Sequence, residues 1–203
     1  MIEVFADIWC PFTHFGLRSV SEALSARDRN DIPIWVRSWP LEWVNGRAME
    51  VNLALEHARE LQAQVTPLLF ESFDGSHFPR STIAALALVA QGYAIDPAVG
   101  LALSLKIRED LFERNQDISD PDLLSALARP FALRDPSPDD YAAVVSDWRE
   151  GRSRGVLGSP HFFCSGRDLF CPSLDITKDS NGEGVTIGAN LTRLERFLDA
   201  CLS

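Results

Sequence analysis

Glu-Val-Phe-Ala-Asp-Ile-Trp-Cys-Pro-Phe-Thr-His-Phe-Gly-Leu-Arg, residues 3–18, decides the fold. The apolar run Ile2–Ile8 reads as a buried strand. The Cys10-Pro11 dipeptide ends it and opens a helix, with proline at the first helical position. From Pro11 to about Arg27, Leu17, Val20 and Leu24 recur at helical spacing, with Arg18, Glu22 and Arg27 among the remaining positions. Asp31–Trp39 is rich in strand formers and reads as a second strand. Strand, helix and strand in about 38 residues make a parallel βαβ unit. A cysteine at a helix N-terminus meets unpaired backbone N–H groups and the positive end of the helix dipole, which favour thiolate over thiol. A partner loop for such a cysteine is expected far downstream, where Gly158-Ser159-Pro160-His161-Phe162-Phe163 stands. Thr13 occupies the position of the second cysteine in a Cys-x-x-Cys pair.

A chain of 203 residues fits one domain, or one domain carrying an insertion. Its net charge of −10 argues against nucleic acid and anionic membrane as partners. Met1 is followed directly by Ile-Glu-Val-Phe, without a basic region or an apolar signal core. The longest apolar stretch, Ile83–Ala90, is too short to cross a bilayer. A cytoplasmic location is therefore expected, with Cys10, Cys164, Cys171 and Cys201 mostly free thiols.

Between about Met49 and Arg154 the pattern is helix after helix. Asp96-Pro97, Asp120-Pro121 and Ser137-Pro138 each put a capping residue before a proline at the first helical position. Further helices are expected over Met49–Gln64 and Pro67–Phe73, and over a stretch from Pro79 that Gly92 ends. After Gly158 strands return: Pro160–Cys164, a turn at Ser165–Asp168, and Leu169–Cys171. Thr177–Gly184 reads as a loop, and a last helix begins near Asn190, burying Leu191, Leu194, Phe197, Leu198 and Cys201. The layout is βαβ, a helical block, then ββα. The two ends join into a small mixed sheet, and the block forms a lid near the active-site end.

Three stretches carry a family resemblance: Asp7-Ile8-Trp9-Cys10-Pro11-Phe12-Thr13-His14-Phe15-Gly16, Leu111–Asp120, and Gly155–Phe163. In this order they resemble the thioredoxin-fold proteins of the DsbA-like group. That group includes the FrnE-type branch, the 2-hydroxychromene-2-carboxylate isomerases and the kappa-class glutathione transferases. The resemblance implies an α/β thioredoxin-like fold of residues 1–45 plus 156–203, with an all-helical insertion at 46–155. It implies a disulfide-exchange or thiol-conjugation site in which Cys10 is the nucleophile and Pro160 the cis-proline facing it. The family's second cysteine falls on Thr13, so dithiol cycling within the motif is absent. The isomerase and kappa-class relatives carry serine where Cys10 stands.

Thr13 lies one helical turn beyond Cys10 and is placed either to donate a hydrogen bond to its sulfur or simply to fill the first turn. A cis Pro160 would aim the N–H and C=O of Ser159 at an extended peptide or at glutathione. Trp9, Pro11 and Phe12 flank the cysteine as candidate substrate contacts, or pack. His14 and His161 each adjoin a motif, either tuning a thiolate as nearby cations or serving as packing residues. Asp7 is either a proton relay or a cap. Cys164 and Cys171 flank the hairpin turn, and a disulfide between them depends on register. Their spacing matches no zinc knuckle, so no metal is expected.

The leading expectation is a thiol–disulfide oxidoreductase acting through Cys10 on a protein or small-molecule thiol or disulfide. No cofactor is held permanently, and glutathione or another low-molecular-weight thiol resolves the mixed disulfide. Two alternatives stand beside it: a glutathione-dependent transferase or isomerase, and a binding protein without catalysis. A homodimer is compatible with the group, and no residue pattern decides it.

Overall fold

The computed structural model describes residues 1–178 and 185–202. Its main sheet has the order β2-β1-β3-β4. Strand β1 (Ile2–Ala6) runs parallel to β2 (Ile34–Ser38), with Val4 opposite Val36, and helix α1 (Pro11–Ser25) makes the crossover. Strand β3 (His161–Cys164) returns antiparallel to β1, with Phe5 opposite His161, and β4 (Arg167–Phe170) pairs with β3. This is a thioredoxin-like fold, as the resemblance implies.

Strand periodicity divides the side chains between the two faces. Val4 and Phe162 share the face that carries α1 and the last helix, α8 (Leu191–Leu202), where Phe162 meets Phe197 with ring centroids 6.4 Å apart. Phe5, His161 and Phe163 share the other face. That face is covered by α7 (Tyr141–Ser153), where Gly151 sits so close to Trp39 and Phe5 that a Cβ would lie 2.6 Å and 2.9 Å from their rings. The last helix of the 46–155 block therefore lies directly on the sheet.

The rest of the block comprises α2 (Leu41–Asn45), α3 (Val51–Gln64), α4 (Ile83–Ile95), α5 (Pro97–Phe112) and α6 (Pro121–Ala128). The proline-led starts behave as capping chemistry requires. Asp96 accepts from Ala98 N (2.8 Å), Asp120 accepts from Asp122 N (2.9 Å), and Ser137 with Asp140 forms a capping box ahead of α7. No helix among the described residues is long and apolar enough to cross a membrane.

Five expectations are corrected, the first being that Leu191, at the start of α8, is exposed rather than buried. Gly92 does not end α4, which runs on to Ile95. It stands where α4 and α5 touch, and a Cβ there would be 2.7 Å from Leu103 and 3.1 Å from the Gly100 backbone. Residues 67–73 are not helical, because Phe70 adopts φ 66° and gives its N–H to Glu113 Oε2 at 3.0 Å. The hairpin turn is only Ser165–Gly166, both at positive φ (50° and 74°), as a two-residue connection demands. Thr177 and Lys178 are not loop. They close β5 (Leu174–Lys178), which pairs antiparallel with β6 (Val185–Ala189), and the apolar Leu174 and Ile187 are buried. The remainder of that expected loop, Asp179–Gly184, lies outside the described residues.

One side chain fastens the helical block to the sheet. Tyr93 of α4 lies along the edge strand β2, where its hydroxyl accepts from Val36 N (2.9 Å) and donates to Ile34 O (3.0 Å). Its ring stacks on Trp35 at 4.8 Å. Two edge groups of β2, Val36 N and Ile34 O, are thus satisfied inside the molecule. Tyr93→Phe leaves a buried N–H and C=O unpaired, and urea unfolding is expected to show a loss of about 1–3 kcal/mol.

Candidate active site

Cys10 is the N-cap of α1, with extended backbone (φ −87°, ψ 112°). Its carbonyl accepts from Thr13 N (3.1 Å) and His14 N (3.2 Å), so the helix starts on it. Its side chain does not cap the helix. The thiol instead donates to Ser159 O at 3.1 Å, across 149 residues of chain. The Ser159–Pro160 peptide bond is cis.

The Ser159 hydroxyl accepts from Asp7 N (2.9 Å) and shares a hydrogen bond with Thr13 Oγ1 (2.8 Å). Cys10, Thr13, Ser159 and Pro160 therefore form one cluster. Pro160 packs against α1 where it has no side chain, with its Cγ 3.5 Å from the Cβ position of Gly16.

Beneath the cluster lie two buried ionisable groups, Asp7 and Arg108. Asp7 is fully buried, and its carboxylate accepts from Ile8 N (2.7 Å) and Leu41 N (2.5 Å). Burial raises its pKa to about 6, against these hydrogen bonds and the charge of Arg108. Arg108 of α5 is also fully buried, and donates to Asp7 O (3.1 Å) and Ser104 O (2.9 Å). Burial brings its pKa down to about 10, opposed by the charges of Asp7, Tyr93 and Cys10.

The sequence reading missed Arg108. A signal was present: Ser104 and Arg108 stand next to the buried stripe Leu103, Ile107 and Leu111, at the same four-residue spacing.

The thiolate expected from a helix N-terminus is not what this environment favours. Cys10 is only 4% exposed, and burial pushes its pKa up. The hydrogen bonds from Thr13 and the contact with Ser159 act the other way without reversing the direction. Desolvation outweighs the local dipoles because the helical block covers the site. Phe12 packs on His57 of α3 at 4.6 Å, and Trp9 stacks on Phe78 at 5.9 Å. From Phe78 the ring contacts continue through Phe73 and Phe112 to Phe70.

Trp9, Pro11 and Phe12 flank the cysteine as expected, but all are buried under this cover. The two histidines point elsewhere. His14 faces the block, with Nε2 2.7 Å from Glu113 Oε1 and its ring against Phe70 and Phe112. Burial lowers its pKa, Glu113 opposing, so it is a poor cation for the sulfur. His161 is on the sheet face opposite α1. Its Nδ1 accepts from Leu157 N (3.1 Å), so its Nε2 carries the proton and donates to Asp168 (2.9 Å).

The remaining cysteines are also free. Cys164 pairs in register with Arg167, and Cys171 lies beyond the end of β4, so the hairpin does not bring these two together. Cys171 instead gives its N–H to Pro160 O at 3.0 Å.

No protein-family model and no curated protein sequence matches the chain. Solved structures match it in fold. A protein described as a probable DsbA oxidoreductase, from Streptomyces coelicolor, is 22% identical over 99% of this chain and 89% of its own, with TM-score 0.61. A 2-hydroxychromene-2-carboxylate isomerase is 13% identical over 83% of this chain and 87% of its own, with TM-score 0.61. The cytosolic disulfide reductase DsbM of Pseudomonas aeruginosa, solved with glutathione, is 18% identical over 83% and 87%, with TM-score 0.56. The chain thus has the fold shared by DsbA-like oxidoreductases and this isomerase.

The Asp7 shift has a definite sign. Its folded value of about 6 exceeds the ordinary 3.8, so the folded protein holds this proton more tightly than the unfolded chain. Its stabilising contribution is complete below about pH 4 and is lost as pH rises through 6. Urea unfolding of wild type measured against Asp7→Asn should show wild type losing on the order of 3 kcal/mol across that window. A difference independent of pH would show that Asp7 titrates normally.

Proposed function

We propose that the chain is a thiol–disulfide oxidoreductase that works through Cys10 as its single motif thiol. The observation that carries this reading is the Cys10 sulfur held 3.1 Å from Ser159 O on the Pro160 loop, with Thr13 where a resolving thiol would stand. In the covered form the thiol is neutral and parked on a carbonyl. Displacing α3 and the 66–82 segment admits water and substrate and removes the desolvation that holds the proton on. The helix N-terminus, the Thr13 hydrogen bonds and the buried Arg108 charge then act on the thiolate.

The thiolate attacks one sulfur of a substrate disulfide. A Cys10–substrate mixed disulfide forms, and the second substrate sulfur leaves as a thiolate and takes a proton. A low-molecular-weight thiol such as glutathione attacks the Cys10 sulfur and releases the first substrate thiol. A second such thiol then frees Cys10 and leaves as the small-molecule disulfide. One disulfide is reduced, and two small thiols are oxidised. The glutathione present in the DsbM structure supports this choice of resolving thiol. A reducing, cytoplasmic setting is part of the reading.

The elevated Cys10 pKa favours one rival, a thioredoxin-fold binding protein without turnover. Kinetics separates the two. Cys10→Ser is expected to abolish glutathione-coupled disulfide reduction. Retained activity in that variant, or none in wild type, overturns the proposal. Glutathione binding without thiol exchange would point to the transferase or isomerase chemistry.

Alkylation tests the cover. Cys10 should react slowly, with a midpoint above that of an ordinary thiol near pH 9. Phe12→Ala, which loosens the contact with His57, should speed the reaction and move the midpoint down.

A further inference from the structure

We propose that Cys164 and Cys201 form a second dithiol, closing to a disulfide between β3 and α8 by exchange with a low-molecular-weight disulfide. Cys164 ends β3, and Cys201 lies in the last turn of α8. The Cys164 sulfur is 3.9 Å from Cys201 O and 3.8 Å from Ser165 Oγ. The Ser165 hydroxyl donates to Cys201 O at 3.2 Å, so a bond independent of either sulfur holds the end of α8 beside the β3–β4 turn. Both thiols are free, and Cys201 is only half-buried. Burial and the adjoining Cys164 thiol push the Cys201 pKa up to about 12. The raised pKa makes attack by this thiol slow at neutral pH, so the geometry of the pair and not its acidity carries the inference.

An access route exists for a small oxidant. Cys164 lines an open cavity of about 490 Å³ together with Glu3, Arg154, Arg167 and Asp168. Arg154 is committed to Glu3 and Glu150, whereas Arg167 is exposed beside the sulfurs and suits a carboxylate-bearing disulfide.

The exchange balances. One protein thiolate attacks the small disulfide, forming a mixed disulfide and expelling one small thiolate. The second protein thiol displaces the other. The protein loses two hydrogens, and one disulfide becomes two thiols.

The link would fix the helix that secures the Pro160 loop from behind. Arg193, near the start of α8, donates to Cys171 O (2.7 Å) and Pro172 O (3.2 Å), and Cys171 N in turn donates to Pro160 O (3.0 Å).

The inference does not rest on Cys10 chemistry, and its test uses the full chain carrying Cys10→Ser. The folded protein is treated with oxidised glutathione, its remaining thiols are blocked, and it is digested with trypsin without reduction. Mass spectrometry should find peptide 155–167 joined to peptide 197–203, with the loss of two hydrogens. The oxidised protein should melt several degrees above the reduced one, because the link closes a long loop in the unfolded chain. Cys201→Ala should remove both the link and the gain. Three results overturn the inference: a lasting glutathione adduct without a link, a link from 155–167 to 168–178, or a link formed only in denaturant.

Discussion

Ser159 is the point on which the site depends. Its hydroxyl takes the Asp7 N–H from the end of β1 and bonds Thr13 in the first turn of α1. Its carbonyl takes the Cys10 thiol, and the cis bond to Pro160 leads into β3. One residue thereby joins the contiguous β1–α1 segment to a strand that is distant in sequence. Such a junction positions a sulfur without a metal ligand or a disulfide. It also gives Thr13 a partner, in the position where the family pattern has a second sulfur.

The helical block acts on this junction by charge and by exclusion of water. Arg108 brings a fully buried guanidinium up to the Asp7 backbone, and the aromatic contacts from Trp9 to Phe70 keep solvent out. The two influences oppose each other at Cys10. A buried cation favours an anionic sulfur, whereas the dry surroundings penalise any charge. With the cover in place the second effect prevails, so the reactivity of the sulfur is set by the position of the cover rather than by the motif alone.

Much of this arrangement was legible in the sequence. The Cys10-Pro11 start and the βαβ unit follow from local chemistry, since proline and capping residues act within a few positions of themselves, whereas the role of the Ser159-Pro160 loop came from the family resemblance. The readings that failed depend on contacts between distant segments. Gly92 looked like a helix end because its partner, Gly100, belongs to another helix. Phe70 looked helical because nothing nearby announces that Glu113 will take its N–H. For the two histidines the sequence left tuning and packing both open, and only the distant partners Glu113 and Asp168 decide between them. The Cys10 environment was misjudged for the same reason: a helix terminus can be read locally, but what covers it cannot.

Tyr93 has a consequence for how this molecule meets others. A sheet margin with free N–H and C=O groups is a template on which a foreign strand can grow. Along β2 that template is interrupted by a phenol from the same chain, which takes Val36 N and Ile34 O. At the other edge, β4, Arg167 and Asp168 stand in solvent as charged gatekeepers. Unwanted polymerisation through this sheet is thus opposed at one border by occupancy and at the other by charge.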